Sequence, residues 1–328
     1  MSKNPLQLFC LFSALLLQQA TGSLANYAPL KTAYEIEVVD TSFAYGPTNR
    51  SVPLRIYLPK TGAPSPVVLF SHGLGGSREA SPFLGEHWSK RGYCVVFMQH
   101  AGSDRDVIKN AARFQRLRAL KTAISSENVK NRNNDVRATI DKLEKLNLTR
   151  GQFCGRLDLD RIGMSGHSFG AITTQAVSGQ SYGLEGQSYT DSRIKAAIAM
   201  SPSMPRLGGT AKTFAMVKIP WLLMTGTDDK SPVNRRVDAK SRREVFKALP
   251  RTGRSFELVL NEGTHFIFGG RSDRLSASKN SKQQQESIKA VSTAFWDAYL
   301  MEAPEALSWL KGDEIKTVLD DRDIWSTK

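Results

Sequence analysis

Arg161-Ile162-Gly163-Met164-Ser165-Gly166-His167-Ser168-Phe169-Gly170 carries a short apolar strand into Gly-x-Ser-x-Gly and on into the helix-forming Ala171-Ile172-Thr173-Thr174-Gln175. A serine at so sharp a strand-to-helix turn takes a strained backbone, and glycines two residues to either side remove the side chains that would collide. The stretch therefore predicts a strand, a tight elbow and a helix, with Ser168 exposed above the end of a sheet. Serine is a weak nucleophile near neutral pH. A reactive Ser168 needs a histidine base, and that histidine needs a carboxylate to orient it.

Both follow downstream. Ile219-Pro220-Trp221-Leu222-Leu223-Met224-Thr225 reads as a buried strand that ends in Gly226-Thr227-Asp228-Asp229 before Ser231-Pro232-Val233 breaks the pattern. A carboxylate at the carboxyl end of a buried strand stands where open α/β sheets keep their chemistry. Ser255-Phe256-Glu257-Leu258-Val259-Leu260-Asn261 alternates like a further strand, and its loop, Glu262-Gly263-Thr264-His265-Phe266, offers His265 as the base. An attacking serine also needs donors for the oxyanion it creates. One is the backbone N-H of Phe169, directly after the nucleophile. The other is assigned to the Leu74 N-H, because Val67-Val68-Leu69-Phe70 and then Ser71-His72-Gly73-Leu74-Gly75-Gly76 read as an earlier central strand and its loop.

Phe70 to Gly76, Gly166 to Gly170, Gly226 to Asp229 and Gly263 to His265 together resemble the α/β-hydrolase superfamily. More narrowly they are similar to the branch that holds the dienelactone-hydrolase-like proteins and the platelet-activating-factor acetylhydrolases. The resemblance runs from about Tyr34 to Trp309 and is carried by those four motifs. It implies a serine esterase with a Ser-Asp-His triad, an acyl-enzyme intermediate, and neither metal nor cofactor. The superfamily usually places the acid three residues after the glycine, which favours Asp229 over its neighbour Asp228. The dienelactone hydrolases proper use a cysteine where this chain has Ser168, so their substrate does not carry over.

The 328 residues, 40% hydrophobic and 23% charged, suit one large α/β core. Met1 to Ala25, with Lys3, the apolar run Leu6 to Leu17 and small residues through Ala20, Gly22 and Ala25, reads as a secretory signal peptide. Residues 26–328 are then expected to form a single catalytic domain, secreted or periplasmic, without stable membrane insertion and monomeric. Cys94 lies in a buried-looking strand, and a Cys94-Cys154 bridge stays open as an alternative to a core thiol. The formal charge of +14 invites a nucleic-acid reading. The clusters Arg113, Arg116, Arg118, Lys121 and Arg235, Arg236, Lys240, Arg242, Arg243, Lys247 lack interleaved aromatics, so they read as solvated faces and no nucleic-acid partner is expected.

The motifs order the rest. Ala33 to Asp40 and Pro53 to Leu58 open as an antiparallel pair. Strands near Val67, Tyr93, Arg161, Ala196, Trp221 and Phe256 then alternate with helices, giving an eight-stranded, mostly parallel sheet with helices on both faces. Within Ala101 to Arg150 a basic embellishment near the site mouth precedes an amphipathic helix, Asn134 to Leu143. Only Pro202 to Lys218 is available for a cap, so an open site is expected, and a helix from about Gln283 to Leu300 should cover the sheet with Phe295, Trp296 and Tyr299. His72 is read as bracing the oxyanion loop, His167 as pointed away by the elbow, His87 as a surface-helix residue, and His100 as the end of a strand. A metal on His100, Asp104 and Asp106 is poor transition-metal chemistry. The sequons at Asn49 and Asn147 are short patterns. Tyr182, Tyr189, Met204, Trp221 and Phe266 are candidates for the acyl pocket or for ordinary core and rim. The substrate is a small-molecule or lipid-like ester, with two readings kept beside a small-ester hydrolase: a hydrolase of lipid or polyester chains, and a non-catalytic binding module.

Overall fold

A computed structural model describes residues 27–183, 186–205, 211–234, 236–270 and 281–328. The segment read as a signal peptide, Arg235 and half of the Ser276 to Gln285 stretch lie outside them.

Alternation writes the sheet. Odd positions Val67 and Leu69 face one side of the strand Ser65–Ser71 (β3) and even positions Val68 and Phe70 face the other, and all four are fully buried, as expected of a central strand covered on both faces. Before β3 stand β1 (Ile36–Tyr45) and β2 (Arg50–Pro59), an antiparallel hairpin that runs farther toward its turn than the sequence suggests, while β1 starts three residues later than expected. After it come β4 (Cys94–Met98), β5 (Leu157–His167), β6 (Ile194–Met200), β7 (Trp221–Asp228), β8 (Ser255–Thr264) and β9 (Ile324–Thr327). The spatial order is β1-β2-β4-β3-β5-β6-β7-β8-β9, parallel from β4 through β8 and antiparallel at both edges. This is the α/β-hydrolase sheet, with nine strands rather than eight. The additional one is β9, whose Trp325 ring stacks on Phe256 at 5.6 Å. Four residues in a charged tail give no periodic signal, which is why the sequence hides it.

The helices bury opposite faces. Helix α1 (Pro82–Arg91) lies on one face together with α6 (Ser281–Tyr299) and α7 (Pro304–Lys311), and Trp88, Phe295, Trp296 and Leu310 pack there against Phe70, Phe97, Ile198 and Leu258. On the other face α3 (Ser126–Leu148) sets Val136, Ile140 and Leu143 against Val67, Leu69 and Met164. Helix α3 follows the short exposed α2 (Arg116–Ala123) and starts at Ser125, whose hydroxyl accepts the Asn128 N-H at 3.1 Å. Beside it α4 (Phe169–Val177) and α5 (Ala239–Ala248) cover Ala197, Ala199 and Leu223. The embellishment reaches the loop after β3: Gly75 is tight against Ile108 and Leu120, with 2.8 Å and 3.0 Å between their methyl carbons and the place of a Cβ.

One local reading changes, and others that stood open are decided. His87 is on the inner side of α1 and nearly buried, not on the surface. Asn147 spends its carboxamide on the start of β5, donating to the Leu157 carbonyl at 2.9 Å and accepting the Leu157 N-H at 3.0 Å, whereas Asn49 sits at the exposed hairpin tip. Trp221 belongs to the core beneath α5. Cys94 is buried and Cys154 exposed, and both are free thiols. Among the described residues no helix is long and apolar enough to cross a membrane.

Candidate active site

The elbow forms because nothing larger than glycine fits beside it. A Cβ on Gly166 would strike the Gly170 carbonyl, and one on Gly170 would strike the Ser71 carbonyl at the end of β3. Ser168 turns the chain at φ 58°, ψ −113°, a conformation that a side-chain-bearing residue adopts at a cost on the order of 1–3 kcal/mol. Packing holds it there: its N-H donates to the Met200 carbonyl at 2.9 Å, and its own carbonyl accepts from Ala171 at 2.9 Å.

The expected acid and base arrive by adjacent strands. In the β7–β8 register Gly226 lies beside Leu260 and Asp228 beside Thr264, and the backbones of Gly226 and Gly263 touch so closely that a side chain on Gly226 would collide. The turns after the two strands therefore leave the sheet side by side. His265 Nε2 lies 2.9 Å from Ser168 Oγ, and His265 Nδ1 lies 2.7 Å from Asp229 Oδ1. A carboxylate only accepts, so Nδ1 carries the proton and Nε2 faces the serine hydroxyl with its lone pair. Asp229 is fully buried, while Asp228 is exposed.

The surroundings of Asp229 explain its charge. Ser201, itself at φ 57°, donates its hydroxyl to Oδ2 at 2.6 Å, and Thr225 donates to the same oxygen at 2.9 Å. Arg242 Nε stands 2.8 Å from Oδ1, and its Nη1 ties the Ser201 and Pro202 carbonyls at 2.8 and 3.1 Å. Burial pushes the carboxyl up. The hydrogen bond from His265 and the charge of Arg242 outweigh that and hold it at about 2. Arg242 is thus not part of a solvated basic face. It is buried on the inner side of α5, whose outer Arg243 pairs with Glu257 at 2.9 Å. Its guanidinium also stands 3.1 Å from His265 Nδ1, where the proton already on that nitrogen excludes a second donor.

The two expected oxyanion donors belong to segments that meet the serine. Phe169 N-H opens α4, and Gly73, one residue before Leu74, comes so close to Ser168 that a Cβ there would lie 3.4 Å from the serine Cβ. Neither the Leu74 nor the Phe169 N-H is used by another acceptor among the described residues.

Of the remaining histidines, His167 is not turned away. Its ring lies tilted against His265, with centroids 4.7 Å apart, and against Phe268 at 6.0 Å, because the turn after His265 folds back over the elbow. Burial, then the neighbouring His265, pushes its pKa well down, so it is a neutral wall beside the base. His72 braces the loop by contacting the Gly73 carbonyl through Nδ1 at 2.6 Å, while Nε2 accepts the His100 N-H at 3.1 Å. His100 has both ring nitrogens engaged, by Asp135 and by Ser71, each at 2.9 Å, and Asp104 accepts from Gln99 while Asp106 is exposed. The three do not form a metal site. Around the mouth, Phe266 is half-buried against His265, and Tyr182 and Tyr189 pair edge to face at 5.9 Å. Sequence reasoning missed Arg242, Arg132 and Ser201. Their residue types carry no signal of burial until the fold places them.

No curated protein matches the chain. The family model of platelet-activating factor acetylhydrolase, isoform II, matches residues 36–247, which takes in the β3 loop, the elbow and Asp229 and stops short of His265. A match over more than half of the chain, on the sheet described above, means that the protein belongs to the platelet-activating factor acetylhydrolase, isoform II family of ester hydrolases.

Proposed function

We propose that the protein is a serine hydrolase of carboxylic esters that works through an acyl-enzyme, with Ser168, Asp229 and His265 as its triad. The observation that carries this reading is the 2.9 Å approach of His265 Nε2 to Ser168 Oγ while Nδ1 is held by Asp229. His265 takes the hydroxyl proton as Ser168 attacks the ester carbonyl, and the Leu74 and Phe169 N-H groups receive the oxyanion. Asp229, kept ionised, holds the imidazole in the right tautomer and offsets its charge. The imidazolium protonates the departing alcohol. The same nitrogen then activates water against the acyl-enzyme. The acetylhydrolase family supports an ester substrate, small or lipid-like.

One observation favours the lipid-like end of that range. The embellishment packed on the oxyanion loop carries Phe114, 85% exposed, and Leu117, 51% exposed, among the exposed cations Arg113, Arg116 and Arg118. Export by the leader at residues 1–25, and a monomeric state, belong to the same proposal. The test is hydrolysis of p-nitrophenyl esters of increasing acyl length by the purified protein and by its Ser168→Ala variant. Activity abolished by the substitution supports the reading, and the length profile separates small from lipid-like substrates. Equal low rates in both proteins refute it in favour of a binding module. N-terminal sequencing of the exported protein checks the leader.

A further inference from the structure

Arg132 is the least expected charge in the molecule. It projects from α3, its residue is fully buried, and no carboxylate lies within ion-pair distance of it among the described residues. The nearby Asp135 is taken by Arg50 at 2.7 Å, by Tyr45 at 2.7 Å and by His100 at 2.9 Å. Its hydrogen bonds go only to neutral acceptors, and the charges of Asp135 and Asp104 nearby offset the cost of its burial only in part. Burial pulls its pKa down to about 9, which still leaves it charged at neutral pH.

Every contact it makes bears on the oxyanion hole. Nη1 donates to the His72 carbonyl at 2.8 Å, two residues before Leu74. Nε donates to Ser103 Oγ at 2.9 Å, and the Ser103 carbonyl accepts the N-H of Gly75, one residue after Leu74, at 2.9 Å. Nη1 also reaches Ser71 Oγ at 3.3 Å. The guanidinium carbon lies over the Phe169 ring, 4.4 Å from its centre, and Phe169 is the residue that bears the second donor. His72 Nε2 accepts from the His100 N-H, so the neutral ring carries its proton on Nδ1. The 3.1 Å approach of Arg132 Nη2 to that nitrogen is therefore contact rather than donation.

We propose that Arg132 is the positioning residue of the oxyanion hole: it bridges the loop after β3 and the first residue of α4 and so fixes the spacing between the Leu74 and Phe169 N-H groups. This rests on the ester-hydrolase reading. A merely core-filling side chain would need neither these donors nor the charge. A misplacement of about 1 Å in such a site costs on the order of 100-fold in rate.

The test uses the whole purified protein with its best p-nitrophenyl ester, and a trifluoromethyl ketone that forms a tetrahedral oxyanion on Ser168. Arg132→Met should lower kcat on the order of 100-fold with KM little changed, and should weaken the trifluoromethyl ketone by a similar factor. Arg132→Lys, which keeps the charge and a donor nitrogen but loses the guanidinium over the Phe169 ring, should fall between. If Arg132→Met does not fold, Arg132→Lys and Phe169→Leu carry the test: acting through one contact, their combined kcat loss should be smaller than the product of the single losses. Folded variants with unchanged kcat, a loss confined to KM, or undiminished ketone affinity overturn the proposal while leaving the esterase reading intact. A wild-type protein inert to every ester and to the ketone overturns both.

Discussion

Replacing Arg242 by methionine should destabilise the protein most at neutral pH. Arg242 and Asp229 are both buried, 2.8 Å apart, and the arginine also binds the Ser201 and Pro202 carbonyls. Removing one partner of a buried pair leaves the other uncompensated and costs about 3–5 kcal/mol. The pH dependence gives the argument its sign. Asp229 is held at about 2 against an ordinary 3.8, so it contributes about 2 kcal/mol of stability that is present above pH 4 and is lost as the pH falls toward 2. Without Arg242 one of the influences that lower it is gone and the carboxyl rises. The deficit of the variant is then largest at pH 7 and narrows in acid, where Asp229 is protonated with or without its partner. Urea unfolding of both proteins at pH 7, 5 and 3.5, followed by tryptophan fluorescence, measures this difference. A variant as stable as the wild type at pH 7, or a deficit that widens in acid, would refute the reasoning.

Asp229→Asn should reduce kcat by about 10⁴-fold, because an amide favours the wrong imidazole tautomer, while Asp228→Asn should leave it within a few-fold; steady-state ester hydrolysis decides between them. Gly73→Ala places a methyl 3.3 Å from His167 Nδ1 and 3.4 Å from Ser168 Cβ, and should cost about tenfold or more in kcat at nearly unchanged thermal stability. Burial holds His87 and His100 at about 4, below the ordinary 6.5, so the unfolded chain binds protons that the native state refuses. Stability should therefore fall by about 1.4 kcal/mol per pH unit for each as the pH drops from 6.5 to 4, and a His87→Gln variant should show a shallower fall in denaturant midpoints.

Much of this architecture was legible because it rests on local chemistry. Gly166 and Gly170 announce the elbow through the backbone they permit, and the alternation of Val67 to Phe70 and Trp221 to Met224 announces buried strands. The juxtaposition of Ser168, Asp229 and His265 follows from the order of strands, which their turn residues imply. What the sequence concealed depends on long-range placement. Arg242 and Arg132 look like members of basic helices until the sheet decides which side of each helix is inside. The direction of His167 depends on the turn after His265, almost a hundred residues away, so the elbow alone does not reveal it. Strand β9 escaped notice because its pairing partner, not its own composition, makes it a strand.

The sheet has two outer edges, and they are guarded differently. Along β1, Asp40 pairs with Arg55 on the neighbouring strand, so charge discourages a foreign strand from docking there. Strand β8, which leads into His265, is covered by β9, with Trp325 over Phe256 and backbone pairing that continues to Lys328 and Ser255. Clipping the chain after residue 320 would bare the hydrogen-bonding groups of β8. Such a truncated protein should self-associate through that edge, and the first catalytic element to be drawn out of place would be the loop that carries His265.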